Sequence, residues 1–259
     1  MSSDDVVLTA DHGAVRVITL NRPGARNALN RDLIRACYAA LTAADADESV
    51  CAVVLTGADP AFCAGVDLKE AAREGLSYFE EFRSQSCIAA VANMASPVVG
   101  AINGATFTGG LEMALGCDFL IASERAFFAD THARVGILPG GGMTAQLPQV
   151  VGAAMARRLS MTGEVIGAAR AERIGLVSEV VPHARLLGRA VDLAAQIAEV
   201  PRATMRSLKE IYAAGASAVT DPALAAEQRI AFTQHRDFDA LDVQFQAVAH
   251  RNKEQLHPE

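Results

Sequence analysis

Two stretches of this chain set polar chemistry where glycine frees the backbone. In INGATFTGGLEMALGCDF (102–119) an uncharged approach ends in a single acid, Glu112, just after Gly109 and Gly110. In FCAGVDLKE (62–70), Gly65 comes shortly before a charged helix start. Both follow one grammar: an apolar strand, a glycine-bearing turn, then a helix. The first amides of a helix have no intrahelical acceptor and carry partial positive charge. Two such ends brought together would hold an oxygen that gains negative charge, and one well-aimed donor is worth about 2.7–4 kcal/mol. Taken singly, Gly109-Gly110 is a closely packed turn and Glu112 an ordinary first-turn acid that favours the helix dipole. The chemistry needs the whole constellation.

Those loops need strands to launch them and helices to receive them. Residues 6–9 and 15–20 read as paired strands about the turn Asp11-His12-Gly13, followed by the loop NRPGARNAL (21–29). Asn30 can cap a helix whose apolar positions Leu33, Ile34, Cys37, Leu41 and Ala44 recur at three-to-four spacing, ending near 45–48. VCAVVLTG (50–57) is a continuous apolar run, as in a strand covered on both faces. Residues 70–83 are charged and helical in texture and 87–94 form a more apolar helix; their mixed character suggests a mobile cover. PVVGAI (97–102) is a strand, 111–117 a helix and DFLIAS (118–123) a strand, which gives a largely parallel α/β arrangement. From 145 onward the pattern is mostly helical. The expected organisation is a catalytic core over 1–200 and a C-terminal helical region over 201–259, divided near Pro201.

Composition narrows the function classes. The 259 residues include no Trp and three Tyr, carry a net charge of −7 and contain no basic block, so neither a nucleic-acid face nor a membrane-surface patch is expected. Five widely spaced cysteines without a CxxC pattern suit reduced thiols in the cytoplasm and give no disulfide framework or zinc site. The start MSSDDVVLTADHG lacks the basic and apolar regions of a secretory signal. Residues 84–111 carry no charge and are long enough to span a bilayer, but Asn93, Pro97, Gly100, Asn103 and Gly104 interrupt them. They read as a buried strand between two helices. No GxGxxG follows a strand, which discounts a nicotinamide enzyme, and no GxxxxGK[ST] accompanies Gly140-Gly141-Gly142.

At this point the chain resembles the enoyl-CoA hydratase/isomerase (crotonase) superfamily. LNRPGARNAL (20–29), VVLTGADPAFCAGVDLKE (53–70), PVVGAINGATFTGGLEMALGCDFLIAS (97–123), VGILPGGGMTAQLPQVVG (135–152) and AAMARRLSMTGEVIGAARAERIGLVSEVV (153–181) fall in that family's order and spacing. The resemblance implies a crotonase-like spiral of repeated β-β-α units, with C-terminal helices that help form a homotrimer or dimer of trimers. It implies acyl-CoA thioester ligands, with coenzyme A as part of the substrate and no separate cofactor or metal. The oxyanion donors would be the N–H groups of Val66 and Gly109. Ala64, Gly65, Val66, Asp67, Leu68 and Lys69 would line the coenzyme A channel, and Arg26 would sit in the loop that meets its adenosine-phosphate end. Lys69 and Arg22 also read as solvated cations. Cys63 reads as packing rather than a nucleophile, and the triple glycine as the turn that starts the helix behind the acyl pocket. Arg251 and Lys253 could offer a cation to a neighbouring subunit's coenzyme A, with a solvated helix face the better reading.

Family hydratases use two glutamates, and Glu112 matches the one that activates water. The second belongs before GILPG, where FFADTHARVGILPG places His132. Acid–base assistance is worth about 10²–10⁴ in rate, so the departure needs a replacement. His132 could move the proton itself, or Asp130 could supply the carboxylate if the segment is extended and the two share a face. Alternatively, neither reaches the reacting carbon. The leading expectation is a hydratase-type lyase that adds water to a 2-enoyl-CoA; the alternatives are an enoyl-CoA isomerase or another crotonase-type acyl-CoA enzyme, and a catalytically silent acyl-CoA binder.

Overall fold

A computed structural model describes residues 5–234 and 241–256. The chain opens with an antiparallel hairpin, β1 (Val7–His12) and β2 (Val15–Leu20), turned through Gly13, whose φ of +63° lies in the left-handed region. Asn30 accepts the Leu33 amide and caps α1 (Arg31–Ala46), which buries Leu33, Ile34, Cys37, Leu41 and Ala44, the five positions selected by spacing.

Three strand pairs follow, each leading into helix. The first is β3 (Ala52–Gly57) and β4 (Ala61–Cys63), with α2 (Leu68–Glu74), α3 (Leu76–Ser84) and α4 (Cys87–Ala92) behind them. The second is β5 (Val98–Ile102) and β6 (Ala105–Phe107), leading into α5 (Gly109–Leu115). The third is β7 (Phe119–Ser123) and β8 (Phe127–Ala129), followed by a 3-10 turn (His132–Val135), α6 (Met143–Val151) and α7 (Ala153–Thr162). The chain continues through β9 (Ile166–Gly167), α8 (Ala168–Arg173), β10 (Glu179–Val181), α9 (Leu186–Ala198), α10 (Arg202–Thr233) and α11 (Leu241–Leu256). The first strand of each pair joins a six-stranded sheet ordered β1-β2-β3-β5-β7-β10. The second joins a smaller sheet ordered β4-β6-β8-β9. This is the spiral of repeated β-β-α units, an α/β fold with a helical C-terminal region.

The large sheet is parallel from β2 to β10, and both faces are covered. Val53 and Leu55 pack towards α1, α4 and α5, while Ala52 and Val54 pack towards Leu186, Ala190 and Ala194 of α9. Burial on both faces explains why VCAVVLTG shows no polar alternation.

Several sequence expectations need correction. The stretch 70–83 is two helices, not one, because Gly75 ends α2 with φ +61°. The helix expected at 111–117 begins at Gly109, so Glu112 lies in its first turn. The charge-free run 84–111 contains two strands between its helices, β5 and β6, and among the described residues no helix is long and apolar enough to cross a membrane. Two short strands, β9 and β10, interrupt the region expected to be mostly helical. Strands of two or three residues are too short to display a period.

α10 leaves the body after Pro201. Arg202 and Arg206 donate to the Asp45 carbonyl at the end of α1, and Lys209 bonds the Asp118 carboxylate. Its far end returns to the molecule and buries Glu227 and Ala231 near the start of α6.

Candidate active site

The two glycine turns converge. A Cβ built on Gly65 would lie 1.9 Å from Thr108 Oγ1 and 3.2 Å from the Gly109 nitrogen. Gly65 also has φ +92°, so glycine is required there for conformation and for space. Thr108 holds φ +48°, ψ −117°, a strained setting for a β-branched residue, and launches α5 directly from β6. Its amide donates to the Ala129 carbonyl, and its carbonyl accepts from Leu111 and Glu112. Gly109 is therefore the first residue of α5, with its N–H ahead of the first intrahelical bond.

The facing turn is fixed by a parallel bridge. Leu29 donates its amide to the Gly65 carbonyl, and Asp67 donates to the Leu29 carbonyl. Backbone groups alternate along an extended strand, so the Val66 N–H points away from that bridge. Asn27 is fully buried and links its loop to the turn after β3: its amide nitrogen donates to the Ala58 and Ala61 carbonyls at 2.8 and 2.7 Å. The Tyr78 hydroxyl donates to the Leu29 carbonyl from α3. Arg22, read as a solvated cation, instead pairs with Asp67 at 3.2 Å. Arg26 and Lys69 are exposed on this side, with Ala64 bonded to the Arg26 carbonyl. Leu29 and Ile88 form apolar walls against Gly109.

Glu112 is 3% exposed. Its Oε1 accepts the amides of Gly141 at 2.8 Å and Met143 at 3.3 Å. A Cβ on Gly141 would stand 2.8 Å from Glu112 Oε2, so glycine lets the carboxylate approach this turn. Burial pushes the carboxyl above its ordinary value; His132 and the two amides pull it down, and Glu227 adds to the rise.

His132 does reach Glu112: its Nε2 lies 3.8 Å from Glu112 Oε2. Asp130 is not a parallel substitute on an extended face. The chain leaves β8 at Ala129 and tightens into the 3-10 turn, which folds the Asp130 carboxylate onto His132 Nδ1 at 2.7 Å and onto its amide at 3.2 Å. Asp130 therefore orients the ring and leaves Nε2 for the cleft. Burial would raise the Asp130 carboxyl, but His132 and Ser160 hold it below the usual range. Burial would lower the imidazole, but Glu112 and Asp130 raise it. Raised His132 and raised Glu112 both favour keeping a proton between them.

Glu227, which no motif marks, stands on the other side of the same turn. It accepts Gly142 N–H at 2.7 Å, Thr144 N–H at 2.6 Å and the Thr144 hydroxyl at 2.6 Å. An acid within ALAAEQRIAF looks like an exposed helix charge; its one signal is a shared face with Leu224 and Ala231, three and four residues away. Cys63 is buried and its thiol is pushed up to about 12, which suits packing. Arg251 donates to the Thr162 and Gly163 carbonyls that end α7, whereas Lys253 is exposed. The groove along α1, lined by Arg35, Tyr38, Thr42 and Gln85, includes none of these converging groups. Among the described residues, no group of three His, Cys, Asp or Glu side chains is arranged to hold a metal.

The sequence profile described as enoyl-CoA hydratase/isomerase matches residues 10–255. A probable enoyl-CoA hydratase of Rhizobium meliloti is 38% identical over 78% of this chain and 80% of that protein. The solved enoyl-CoA hydratase of Mycobacterium tuberculosis superposes with a TM-score of 0.79 at 47% identity, covering 88% of this chain and 97% of that one. The solved enoyl-CoA hydratase of Mycobacterium avium gives a TM-score of 0.77 at 46% identity, over 87% and 95%.

Proposed function

The chain belongs to the enoyl-CoA hydratase/isomerase family, and from that premise we propose that it is a hydratase-type lyase that adds water across a 2-enoyl-CoA thioester. The observation that carries this reading is a buried carboxylate, Glu112, in the first turn behind Gly109 and 3.8 Å from the imidazole of His132. In the reaction the thioester oxygen accepts from the Val66 and Gly109 amides, which stabilise the enolate that forms as the double bond accepts a nucleophile. Glu112 takes a proton from water while the water oxygen bonds to the β-carbon. The electron pair of the double bond moves to the enolate, and the His132 imidazolium then gives the α-carbon its proton. Proton return from Glu112 to His132 resets the site, so one water is added and no proton is left over. Asp130 fixes the ring and stabilises its charge.

Coenzyme A enters as part of the substrate along Ala64–Lys69, with Arg26 and Lys69 as the exposed cations on that side. Arg22 does another job, holding Asp67. Self-association into a trimer or dimer of trimers is supported by α10, where Leu208, Ile211, Tyr212 and Val219 are 44–75% exposed along one stripe. A cytoplasmic setting is supported by five free thiols.

The test follows loss of the conjugated thioester absorbance with 2-enoyl-CoA substrates of increasing chain length. Hydration removes that absorbance. An isomerase instead raises it from a 3-enoyl-CoA and leaves 2-enoyl-CoA unhydrated; binding without turnover of any substrate identifies a silent binder. Either result rejects the hydratase reading.

A further inference from the structure

Four successive amides of the turn into α6 are divided between two carboxylates. Gly141 and Met143 donate to Glu112, whereas Gly142 and Thr144 donate to Glu227. Gly142 adopts φ +110°, which swings alternate amides to opposite sides. The Thr144 hydroxyl gives Glu227 a third bond. The same end of α10 holds the preceding loop: Gln234 accepts the Leu138 amide and donates to the Gly136 carbonyl.

We propose that Glu227 is a positioning residue, clamping the Gly141–Thr144 turn from α10 so that the Gly141 and Met143 amides stay aimed at the Glu112 carboxylate. This rests on the reading of Glu112 as the base. Glu227 does not touch substrate; it acts through the turn. Buried acceptors with this many donors restrict the turn in a way that solvent could not, and displacement of catalytic geometry by about 1 Å is enough to cost about 10² in rate.

The groups around Glu112 make the effect readable in pH. His132 faces it from the 3-10 turn, with Asp130 behind the ring, and Glu227 stands beyond the α6 turn. β4 brings Cys63 and α4 brings Cys87, both buried with thiols pushed up and so neutral; β6 and α6 bring no charged side chain. The Glu227 charge raises the Glu112 carboxyl and the two amides lower it. Loss of clamping and loss of charge therefore move the acid limb of the rate profile in opposite directions.

Glu227→Asp keeps the charge but shortens the reach by one methylene. The proposal expects its kcat to fall about tenfold or more with KM within about twofold, and its acid limb to move to higher pH as the amides draw back. Thr144→Val removes only the hydroxyl bond and shifts both readouts the same way by a smaller factor. Melting temperature and circular dichroism identify any variant that fails to fold, and Thr144→Val then carries the test alone. Wild-type kcat and acid limb in the folded variants overturn the proposal, as does a fall in kcat with an unmoved limb, which marks a merely structural support. Glu112→Gln in the same assay separates the two claims: if it stays active, the reading of Glu112 fails. If it is inactive while the Glu227 and Thr144 variants behave as wild type, only the clamp fails.

Discussion

The turn at Gly65 and the turn at Gly109 face each other with the same local grammar but differ in what holds them. The Gly109 turn opens a helix in which every residue from Gly109 to Leu115 is buried, launched from a strained Thr108. The Gly65 turn opens α2, which buries only Ala71, and it is held from outside by the Leu29 bridge and the Arg22–Asp67 pair. The buried turn carries the acid, where a fixed direction matters most. The outer turn borders the exposed side that carries Arg26 and Lys69, where the proposed thioester would be admitted. Burial is concentrated on the wall that bears Glu112, the residue to which the proposed proton chemistry is assigned.

Removing that chemistry should produce the largest effect. Glu112→Gln keeps the shape of the buried wall but cannot take a proton from water. We expect kcat for 2-enoyl-CoA hydration to fall by about 10³, with the dissociation constant for an acyl-CoA product within about threefold. Stopped absorbance assays and calorimetric titration measure the two. A fully active variant would remove the contrast between an acid-bearing wall and a donor-only wall.

The outer wall should rank next. Gly65→Ala forces a Cβ to within 1.9 Å of Thr108 Oγ1 and puts alanine at φ +92°, so the two turns must separate. A misplaced oxyanion donor lowers kcat by about 10²–10³. Thermal unfolding should show a moderate loss as well, because the strain is local to the turn. An unchanged kcat would show that the Gly65 turn is not half of the hole.

The opposing His132–Asp130 pair gives a smaller and pH-dependent effect. His132→Ala should lower kcat by about 10², and Asp130→Asn by less, because the imidazole remains. Loss of the Asp130 charge lets the ring lose its proton more readily, so the alkaline limb should move to lower pH. The same sign holds for stability. A raised folded value means that the His132 contribution is complete below its unfolded value of about 6.5 and is lost as pH rises through the folded value. The reverse order of the two variants would transfer the main role to Asp130.

These effects also mark what could be read without coordinates. Gly65, Gly109 and Glu112 were legible because glycine and helix-start patterns are local, and the α1 face was legible because its apolar spacing repeats. The short strands β4, β6 and β8 were not: three residues carry no period, and their pairing is set by the larger sheet. The Asp130–His132 contact escaped the extended-strand expectation because the 3-10 turn brings residues two apart onto the same hydrogen bond. Glu227 was invisible for a different reason. Its partners lie 83 and 85 residues earlier, and nothing in a helix full of alanines states which turn will meet it.

Arg22 gives the smallest and most selective test of the two walls. Its backbone N–H donates to the Asn27 side chain and its guanidinium pairs with Asp67, so it ties the 22–29 loop to the outer turn. The pair is partly exposed, and solvent screening limits such a contact to about 1 kcal/mol or less. Arg22→Ala should therefore leave kcat within about twofold while raising KM about threefold to fivefold, as the outer turn samples positions that receive the thioester less well. A long-chain acyl-CoA and a truncated pantetheine thioester separate the causes. If Arg22 acts through the turn, both lose affinity by the same factor, since in the proposed mechanism both would use the Val66 amide. If it binds the adenosine-phosphate end, only the intact coenzyme A thioester is affected, and the outer wall is then a ligand-contact surface, not a brace.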